Sequence, residues 1–195
     1  MKQSSCCPSA GRRTFSRPRG FTLVEILITI IIMGILAVLG ISMFRSTQKK
    51  GRDFNRKAGL SALSKALESY MNDKGVYPPS LDGKILWCGT AELPESACSW
   101  GDPFTDVTTP EDERTVYMTS LPKDSQGLRY YYEAVEIDGL RKGYRLYARL
   151  ENEEDPDIPT AGGNPSHYTV DCSSDATVRY CNYVLTSETI AKPTP

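Results

Sequence analysis

An uninterrupted apolar stretch near the N-terminus dominates the hydrophobic pattern of the chain. From Phe21 to Phe44 the sequence has 24 residues and only one charged side chain, that of Glu25. A helix of this length would extend about 36 Å, which exceeds the ~30 Å hydrocarbon core of a bilayer. The pattern therefore predicts a transmembrane helix over residues 21–44.

The helical pattern continues after residue 44 in an amphipathic form. Large apolar side chains recur at three- and four-residue spacing, which is typical of a helix with one buried face. They are Leu60, Leu63, Leu67, Tyr70 and Met71. The basic residues of this segment fall on the other faces, where we expect them to be solvated; they are Lys49, Lys50, Arg52, Arg56, Lys57 and Lys65. Gly75 and the Pro78-Pro79 pair are helix-ending signals, so one helix is expected over residues 21–74.

Short alternating segments replace the helical pattern in the second half of the chain. We expect strands over residues 115–121, 128–137 and 144–150, and a final short pair over 168–171 and 178–185. Asp138-Gly139 and Gly143 predict a hairpin connection slightly longer than the two-residue type. Residues 80–114 and 151–167 have the composition of loops. The predicted fold class is therefore α+β, with a long N-terminal helix, half of it transmembrane, packed against a small antiparallel β-sheet.

Basic residues precede the apolar stretch and set its predicted orientation. Residues 1–20 contain no acid and five basic side chains, those of Lys2, Arg12, Arg13, Arg17 and Arg19. The whole chain has a formal net charge of −1, so residues 21–195 carry −6. Positive charge before a membrane span keeps that end in the cytoplasm, which predicts a single-pass cytoplasmic membrane protein with its N-terminus inside. The acidic outer part argues against general nucleic-acid binding.

Glu25 is the one ionisable residue inside the apolar stretch. At mid-membrane such a residue costs roughly 2.5–3.5 kcal/mol, so its presence indicates a function. The bilayer argument alone leaves two interpretations open. Glu25 is either a functional intramembrane acid or part of a plain single-pass anchor whose acid reaches the interface near one end of the span.

The residues around Glu25 resemble a known processing signal. The string GFTLVE over residues 20–25, preceded by Arg17 and Arg19, is similar to the class III leader of type IV pilins and type II secretion pseudopilins. This resemblance implies that a prepilin peptidase cuts between Gly20 and Phe21 and methylates the new amine of Phe21. Downstream, Tyr77-Pro78, the LPKD string over residues 121–124 and the tyrosine-rich hairpin resemble the major pseudopilin of type II secretion.

A structural filament subunit with a pilin-like fold is the function that the resemblance implies. Subunits would form a homo-oligomeric helical filament outside the cytoplasm, in which Glu25 pairs with the Phe21 amine of a neighbour, because a buried amine needs an anion. An inner-membrane platform protein and an assembly ATPase are implied as indirect partners. The expected segments are a cleaved leader (1–20), a transmembrane and filament-core helix (21–44), its amphipathic continuation (45–75), a β-rich extracytoplasmic head (76–186) and a flexible tail (187–195).

Two other functions remain open at this point. One is a membrane-anchored surface binding domain that does not assemble. The other is a minor DNA-uptake pilin with a basic and aromatic patch on the hairpin, although a solvated sheet face explains the same residues more simply. The patch would comprise Arg129, Tyr131, Arg145, Tyr147 and Arg149.

Four cysteines would remain after the predicted cut: Cys88, Cys98, Cys172 and Cys181. All would lie outside the cytoplasm, where disulfides persist. Four cysteines allow three connectivities, and nearness in the sequence favours Cys88–Cys98 and Cys172–Cys181. Zinc is the rival interpretation, but both spacings exceed those of a structural zinc site.

Residues 151–157 form a strongly acidic segment. Five of the seven side chains are carboxylates, and a calcium ion would relieve their repulsion. The resemblance adds to this expectation, because major pseudopilins carry a calcium site in a late loop. The candidate ligands are Glu151, Asn152, Glu153, Asp155 and Asp157, and the alternative is a solvated acidic loop.

No enzymatic chemistry is indicated by the sequence. The one histidine, His167, falls in a predicted loop, and no cysteine or carboxylate set near it has the spacing of a triad or a metal site. There is no glycine-rich phosphate-binding motif. We therefore expect a protein with no catalytic residue and, apart from the candidate calcium ion, no cofactor.

Overall fold

The computed structural model describes residues 20–87, 97–106, 110, 113–174 and 177–195. In these ranges the chain has one α-helix, α1, over Leu23–Lys74. The chain divides into two compact units between Met43 and Phe44. The predicted helix over residues 21–74 is thus confirmed, and its two parts belong to different units.

In the first unit, α1 is apolar and exposed. The large apolar side chains from Phe21 to Val38 expose between 47% and 80% of their surface. The most apolar window of 18 residues has a mean hydropathy of 2.8, which makes α1 long and apolar enough to cross a membrane. The apolar side chains that predicted a transmembrane segment therefore face outward, where they can contact lipid or other helices.

In the second unit, the amphipathic part of α1 packs on the sheet. The predicted apolar face is confirmed: Leu60, Leu63, Leu67 and Tyr70 are buried, and Met71 packs against them. They share one core with side chains of the β-sheet, which include Tyr132, Tyr144 and Leu146. The helix ends where predicted, because Gly75 adopts a φ of 75° and its N–H bonds to the carbonyl of Met71 at 2.8 Å.

The described strands are short and antiparallel. They are β1 (Ser80–Leu81), β2 (Lys84–Ile85), β3 (Phe104–Thr105), β4 (Val116–Met118), β5 (Tyr131–Ile137), β6 (Leu140–Ala148), β7 (Thr160–Ala161), β8 (Asn164–Pro165) and β9 (Tyr183–Thr186). The main sheet has the order β5-β6-β9, and β1–β2, β3–β4 and β7–β8 form separate pairs. The α+β arrangement predicted from the sequence is therefore confirmed.

The central hairpin is tighter than the sequence suggested. Ile137 pairs with Leu140, so the loop is only Asp138-Gly139, whose φ values of 54° and 74° suit a two-residue turn. The predicted longer connection is wrong because Gly143 lies inside β6. A Cβ at Gly143 would come within 2.3 Å of Ile190 Cγ1, so a larger residue there would have to displace the Ile190 side chain.

The C-terminal residues pack on this hairpin. Thr189 Oγ1 donates a hydrogen bond to the carbonyl of Lys142 at 3.0 Å, and Ile190 lies over Gly143. These contacts anchor the first residues of the predicted tail, while flexibility of the remainder stays a prediction.

The other predicted strands are mostly present, but their bounds and pairing partners differ from the prediction. β4 and β5 lie inside their predicted segments. The predicted final pair is reduced to one bridge between Asp171 and Tyr180, and β9 pairs with β6 instead. The predicted loops contain β1, β2, β3, β7 and β8, which the sequence could not indicate because strands of two residues have no readable alternation.

Candidate functional site

The predicted cleavage site lies just before α1. Gly20 and Phe21 are exposed and not helical, and the helix begins two residues after Phe21. The peptide bond between them is therefore accessible and outside the hydrogen-bonded helix. Cleavage there would leave an amine directly in front of the first helical turn.

Thr22 caps the helix that this cleavage would leave. Its Oγ1 accepts the N–H of Glu25 at 3.2 Å, and its carbonyl accepts the N–H of Ile26 at 3.3 Å. A threonine three residues before a glutamate is the sequence signature of a capping box. Our sequence interpretation missed Thr22, although this spacing could have identified it.

Glu25 occupies the first turn of α1 and is exposed. The positive end of the helix dipole favours a carboxylate at this position. Among the residues that the structure describes, no cation forms an ion pair with it.

A second cluster of charges lies where α1 meets two loops of the second unit. Arg56 is only 2% exposed, and it contacts three carboxylates. Nε donates to Asp124 Oδ2 at 2.6 Å, and Nη1 donates to Asp53 Oδ1 at 2.7 Å. Nη2 lies 2.8 Å from Glu151 Oε1, an ion pair outside hydrogen-bonding geometry. The expectation of a solvated side chain is wrong for Arg56.

Backbone donors complete the coordination of these carboxylates. Asp53 accepts the N–H groups of Glu151 and Asn152, the latter at 2.8 Å. Asp124 accepts the N–H groups of Gln126 and Leu128 at 2.8 and 3.2 Å. Arg56 and its two aspartates therefore fix the loops that begin near residues 124 and 151 on the helix.

The ion pairs shift the pKa values of their members in the expected directions. Hydrogen bonds from Arg52 lower the pKa of Glu151 to about 2, against the opposing effect of burial and with further help from Arg56. Burial opposes the charge of Arg56, but hydrogen bonds to Asp124 and Asp53 outweigh it and raise its pKa. Both groups stay ionised across the physiological range.

The acidic segment pairs with cations of the helix. The Glu151 carboxylate binds Arg52, with 2.8 Å between Nε and Oε1, and lies beside Arg56. Lys57 Nζ lies 2.5 Å from Asp155 Oδ1 and 2.6 Å from Asp157 Oδ2. The loop is thus not simply solvated.

Of the five predicted calcium ligands, only Asp155 and Asp157 face a common point, and the Lys57 nitrogen occupies it. Asn152 directs its N–H to Asp53, and Glu153 is exposed in a turn. In the described ranges, no group of three or more His, Cys, Asp or Glu residues could hold a metal ion. Since calcium takes six to eight oxygen ligands, the arrangement of these residues does not fit it.

One predicted disulfide is present, between Cys172 and Cys181. Both residues are fully buried in a small second core with Tyr147, Tyr168 and Val184. Cys98 is also disulfide-bonded. Cys88 lies outside the described residues, so its pairing with Cys98 stays a prediction.

The side chains of the hairpin patch are held by intramolecular contacts. Tyr147 is only 3% exposed, because it packs with Tyr168, Cys172, Cys181 and Val184. Arg145 pairs with Glu133 at 3.1 Å, and Arg149 donates to the carbonyl of Tyr180. The simpler interpretation as a solvated face is wrong for Tyr147, and a DNA-binding surface gains no support here.

Comparison with known proteins adds independent evidence. A family model described as the prokaryotic N-terminal methylation motif matches residues 15–41. The chain is 34% identical over 129 residues to type II secretion system core protein G of Pseudomonas aeruginosa, covering 66% of this chain and 80% of that protein. It is 31% identical over 131 residues to core protein G of Pectobacterium carotovorum, covering 67% and 76%.

A shorter similarity extends to type IV pilins. The chain is 39% identical over 61 residues to the type IV major pilin protein PilA of Myxococcus xanthus, covering 31% of this chain and 28% of that protein. No solved structure matches the chain.

Proposed function

Because the chain belongs to the family of type II secretion system core protein G, we propose that it is a structural subunit of a type II secretion pseudopilus or a related type IV pilus. It is made as a membrane-anchored precursor. A prepilin peptidase cuts between Gly20 and Phe21 and methylates the Phe21 amine. Its work is assembly, and no catalytic residue is assigned.

The exposed apolar surface of α1 carries this proposal. From Phe21 to Val38 the large apolar side chains are exposed among the residues that the structure describes. In the membrane, lipid covers them; in a filament, the equivalent helices of other subunits do so. Exchanging lipid for protein contacts has little hydrophobic cost, so packing and polar contacts decide the association.

Glu25 supplies the polar contact that specifies how helices align. Cleavage places a cationic amine at Phe21, four residues before Glu25, in an apolar environment. Leaving one member of a buried ion pair without its partner costs about 3–5 kcal/mol. A neighbouring subunit shifted along the filament axis presents its Glu25 to this amine, and Thr22 caps the backbone N–H of Glu25 in the first helical turn.

The membrane orientation of the precursor and its assembly partners follow from its role as a filament subunit. The basic leader keeps residues 1–20 in the cytoplasm, where the processing enzyme meets them, and places the second unit outside. An inner-membrane platform protein and a cytoplasmic ATPase extract mature subunits into the filament. The filament then lies outside the cytoplasm.

Replacement of Glu25 by glutamine tests the alignment contact. Glu25→Gln keeps the size of the side chain and removes its charge, so membrane insertion and cleavage should remain. The filament fraction should fall more than tenfold, because the amine then lacks an anion. Thr29→Val is the matched control, since the Thr29 hydroxyl donates to the carbonyl of Ile26 in its own helix.

A Gly20→Glu variant separates processing from assembly. It should accumulate as the uncut chain in the membrane, whereas Glu25→Gln should accumulate as the cut chain. A wild-type filament yield from Glu25→Gln would contradict the pairing of Glu25 with the Phe21 amine.

A further inference from the structure

The partly exposed side chain of Lys57 faces the acidic segment and an aromatic ring. Its Nζ lies 2.5 Å from Asp155 Oδ1 and 2.6 Å from Asp157 Oδ2. The same nitrogen lies 5.4 Å from the centre of the Tyr183 ring, which is itself buried. The ammonium group therefore has carboxylate oxygens and a π face as its contacts.

The loop is folded so that both carboxylates face this ammonium. Two turns follow each other, closed by the N–H of Asp155 on the carbonyl of Asn152 and by the N–H of Ile158 on the carbonyl of Asp155, each at 3.1 Å. The N–H of Asp157 donates to Asp155 Oδ1 at 3.0 Å. A cation between these two carboxylates offsets their mutual repulsion.

The contacts favour an ammonium over a divalent metal ion. Calcium binds oxygen ligands at about 2.3–2.6 Å, so the Lys57 nitrogen already lies where a metal bound to Asp155 and Asp157 would sit. The Tyr183 ring offers a face that attracts a cation but supplies no oxygen ligand on that side. Glu151, which would be a further ligand, binds Arg52.

Electrostatics agree with this geometry. Burial disfavours the charge on Lys57, but hydrogen bonds to Asp155 and Asp157 outweigh it and raise the pKa of Lys57. Burial likewise disfavours the charge on Asp155, yet the hydrogen bond from Lys57 outweighs it and lowers the pKa of Asp155. The lysine and the carboxylate each hold the other in its ionised form.

We propose that Lys57 is the permanent counterion of the 151–157 segment, in the position that a divalent cation would otherwise occupy, so that the second unit folds without calcium. A cation attached to α1 is present at every calcium concentration. It also ties the acidic loop to the helix, which a diffusible ion bound only by the loop would not do. This role of Lys57 holds whether or not the chain assembles into filaments.

The test measures thermal unfolding of the full chain in detergent micelles, followed by the near-ultraviolet circular dichroism of its aromatic residues. Wild-type protein should show the same Tm in EDTA and in millimolar calcium, with ionic strength matched by KCl. Lys57→Met should lower Tm in EDTA by about 3–6 °C, because it leaves two facing carboxylates without their cation. Millimolar calcium should then restore about 2–4 °C to that variant alone.

Two further variants keep the test decisive. Lys65→Met removes a similar charge from an exposed part of the same helix and should change neither Tm nor its calcium response. Lys57→Arg keeps a cation in place and should stay independent of calcium, which can be measured even if Lys57→Met fails to fold.

Three results would each overturn the proposal. The first is a calcium-dependent rise of more than about 2 °C in the Tm of wild-type protein. The second is a wild-type Tm for Lys57→Met. The third is a folded Lys57→Met protein that does not respond to calcium, which would show that the position does not accept a divalent cation. None of these readings depends on filament yield, so the role in filaments is tested separately.

Discussion

Replacing Arg56 by methionine should destabilise the second unit more than any change at an exposed cation. Methionine keeps most of the aliphatic length of the side chain and removes the guanidinium. Arg56 is 2% exposed, and its nearest carboxylates belong to Asp53 and Asp124, which are also buried. The change therefore leaves two buried anions without their common cation.

The expected loss can be estimated from the contacts that remain. Removing one member of a buried ion pair typically costs about 3–5 kcal/mol. Here Asp53 keeps the N–H groups of Glu151 and Asn152, and Asp124 keeps those of Gln126 and Leu128. Because neither carboxylate becomes fully unsatisfied, we expect the lower end, about 3 kcal/mol. For a domain of this size that corresponds to a fall in Tm of roughly 6–12 °C.

Thermal unfolding of the full chain in detergent measures this loss directly. Lys65→Met is the control for loss of a helix cation, and its Tm should stay within about 2 °C of wild type. Arg56→Lys should be intermediate, since one ammonium cannot supply the planar, divergent donors of a guanidinium. A Tm for Arg56→Met equal to that of Lys65→Met would refute the view that Arg56 joins the two loops to the helix.

Three further changes probe other parts of the head. Since the pKa of Glu151 is lowered to about 2 from an ordinary 4.5, its ion pairs stabilise the fold above pH 4.5 and are lost as pH falls toward 2; Glu151→Gln should flatten this acid dependence in a pH series of denaturant titrations, and an unchanged profile would contradict it. Replacing Cys172 and Cys181 together by alanine should cost about 2.5–3 kcal/mol in the free energy of unfolding measured without reductant, and a loss below about 1 kcal/mol would rule out a stabilising disulfide. Gly143→Ala should lower Tm through its clash with Ile190, and the double variant with Ile190→Ala should recover part of the loss; additive losses would argue against that contact.

The elements that the sequence predicted well are those whose periodic pattern of apolar residues extends over many positions. A 52-residue helix shows many turns of apolar periodicity, so both its existence and its buried face could be identified. Strands β5 and β6 were also found, but their connection was misjudged because Gly143 looks like a turn residue in the sequence. Its contact is with Ile190, 47 positions away, and no local pattern reports a contact of that kind.

The residues of the candidate sites also differ in whether a local sequence pattern could identify them. Gly20, Phe21 and Glu25, which we propose for processing and assembly, lie in one short string that could be read from the sequence, and Thr22 could have been added from its capping spacing. Arg56 could not. Its partners Asp124 and Glu151 are 68 and 95 positions further along the chain, so its burial depends on folding that the helix sequence does not encode locally.

The composition of the acidic segment predicted a need for positive charge, but not which group would supply it. Five carboxylates in seven residues indicated a need for positive charge, and that need is present in the structure. Composition did not indicate its source. The cations come from α1, about 100 positions earlier, where Lys57 meets Asp155 and Asp157.

Mass spectrometry of subunits from sheared filaments tests whether this chain is a processed filament subunit. Filaments should contain this chain from Phe21 to its C-terminus, with one methyl group on the Phe21 amine. The uncut chain should be confined to the membrane fraction, and all of it should be uncut in cells that lack prepilin peptidase. Filaments without this chain, or filaments built from chains that retain residues 1–20, would contradict its role as a processed subunit.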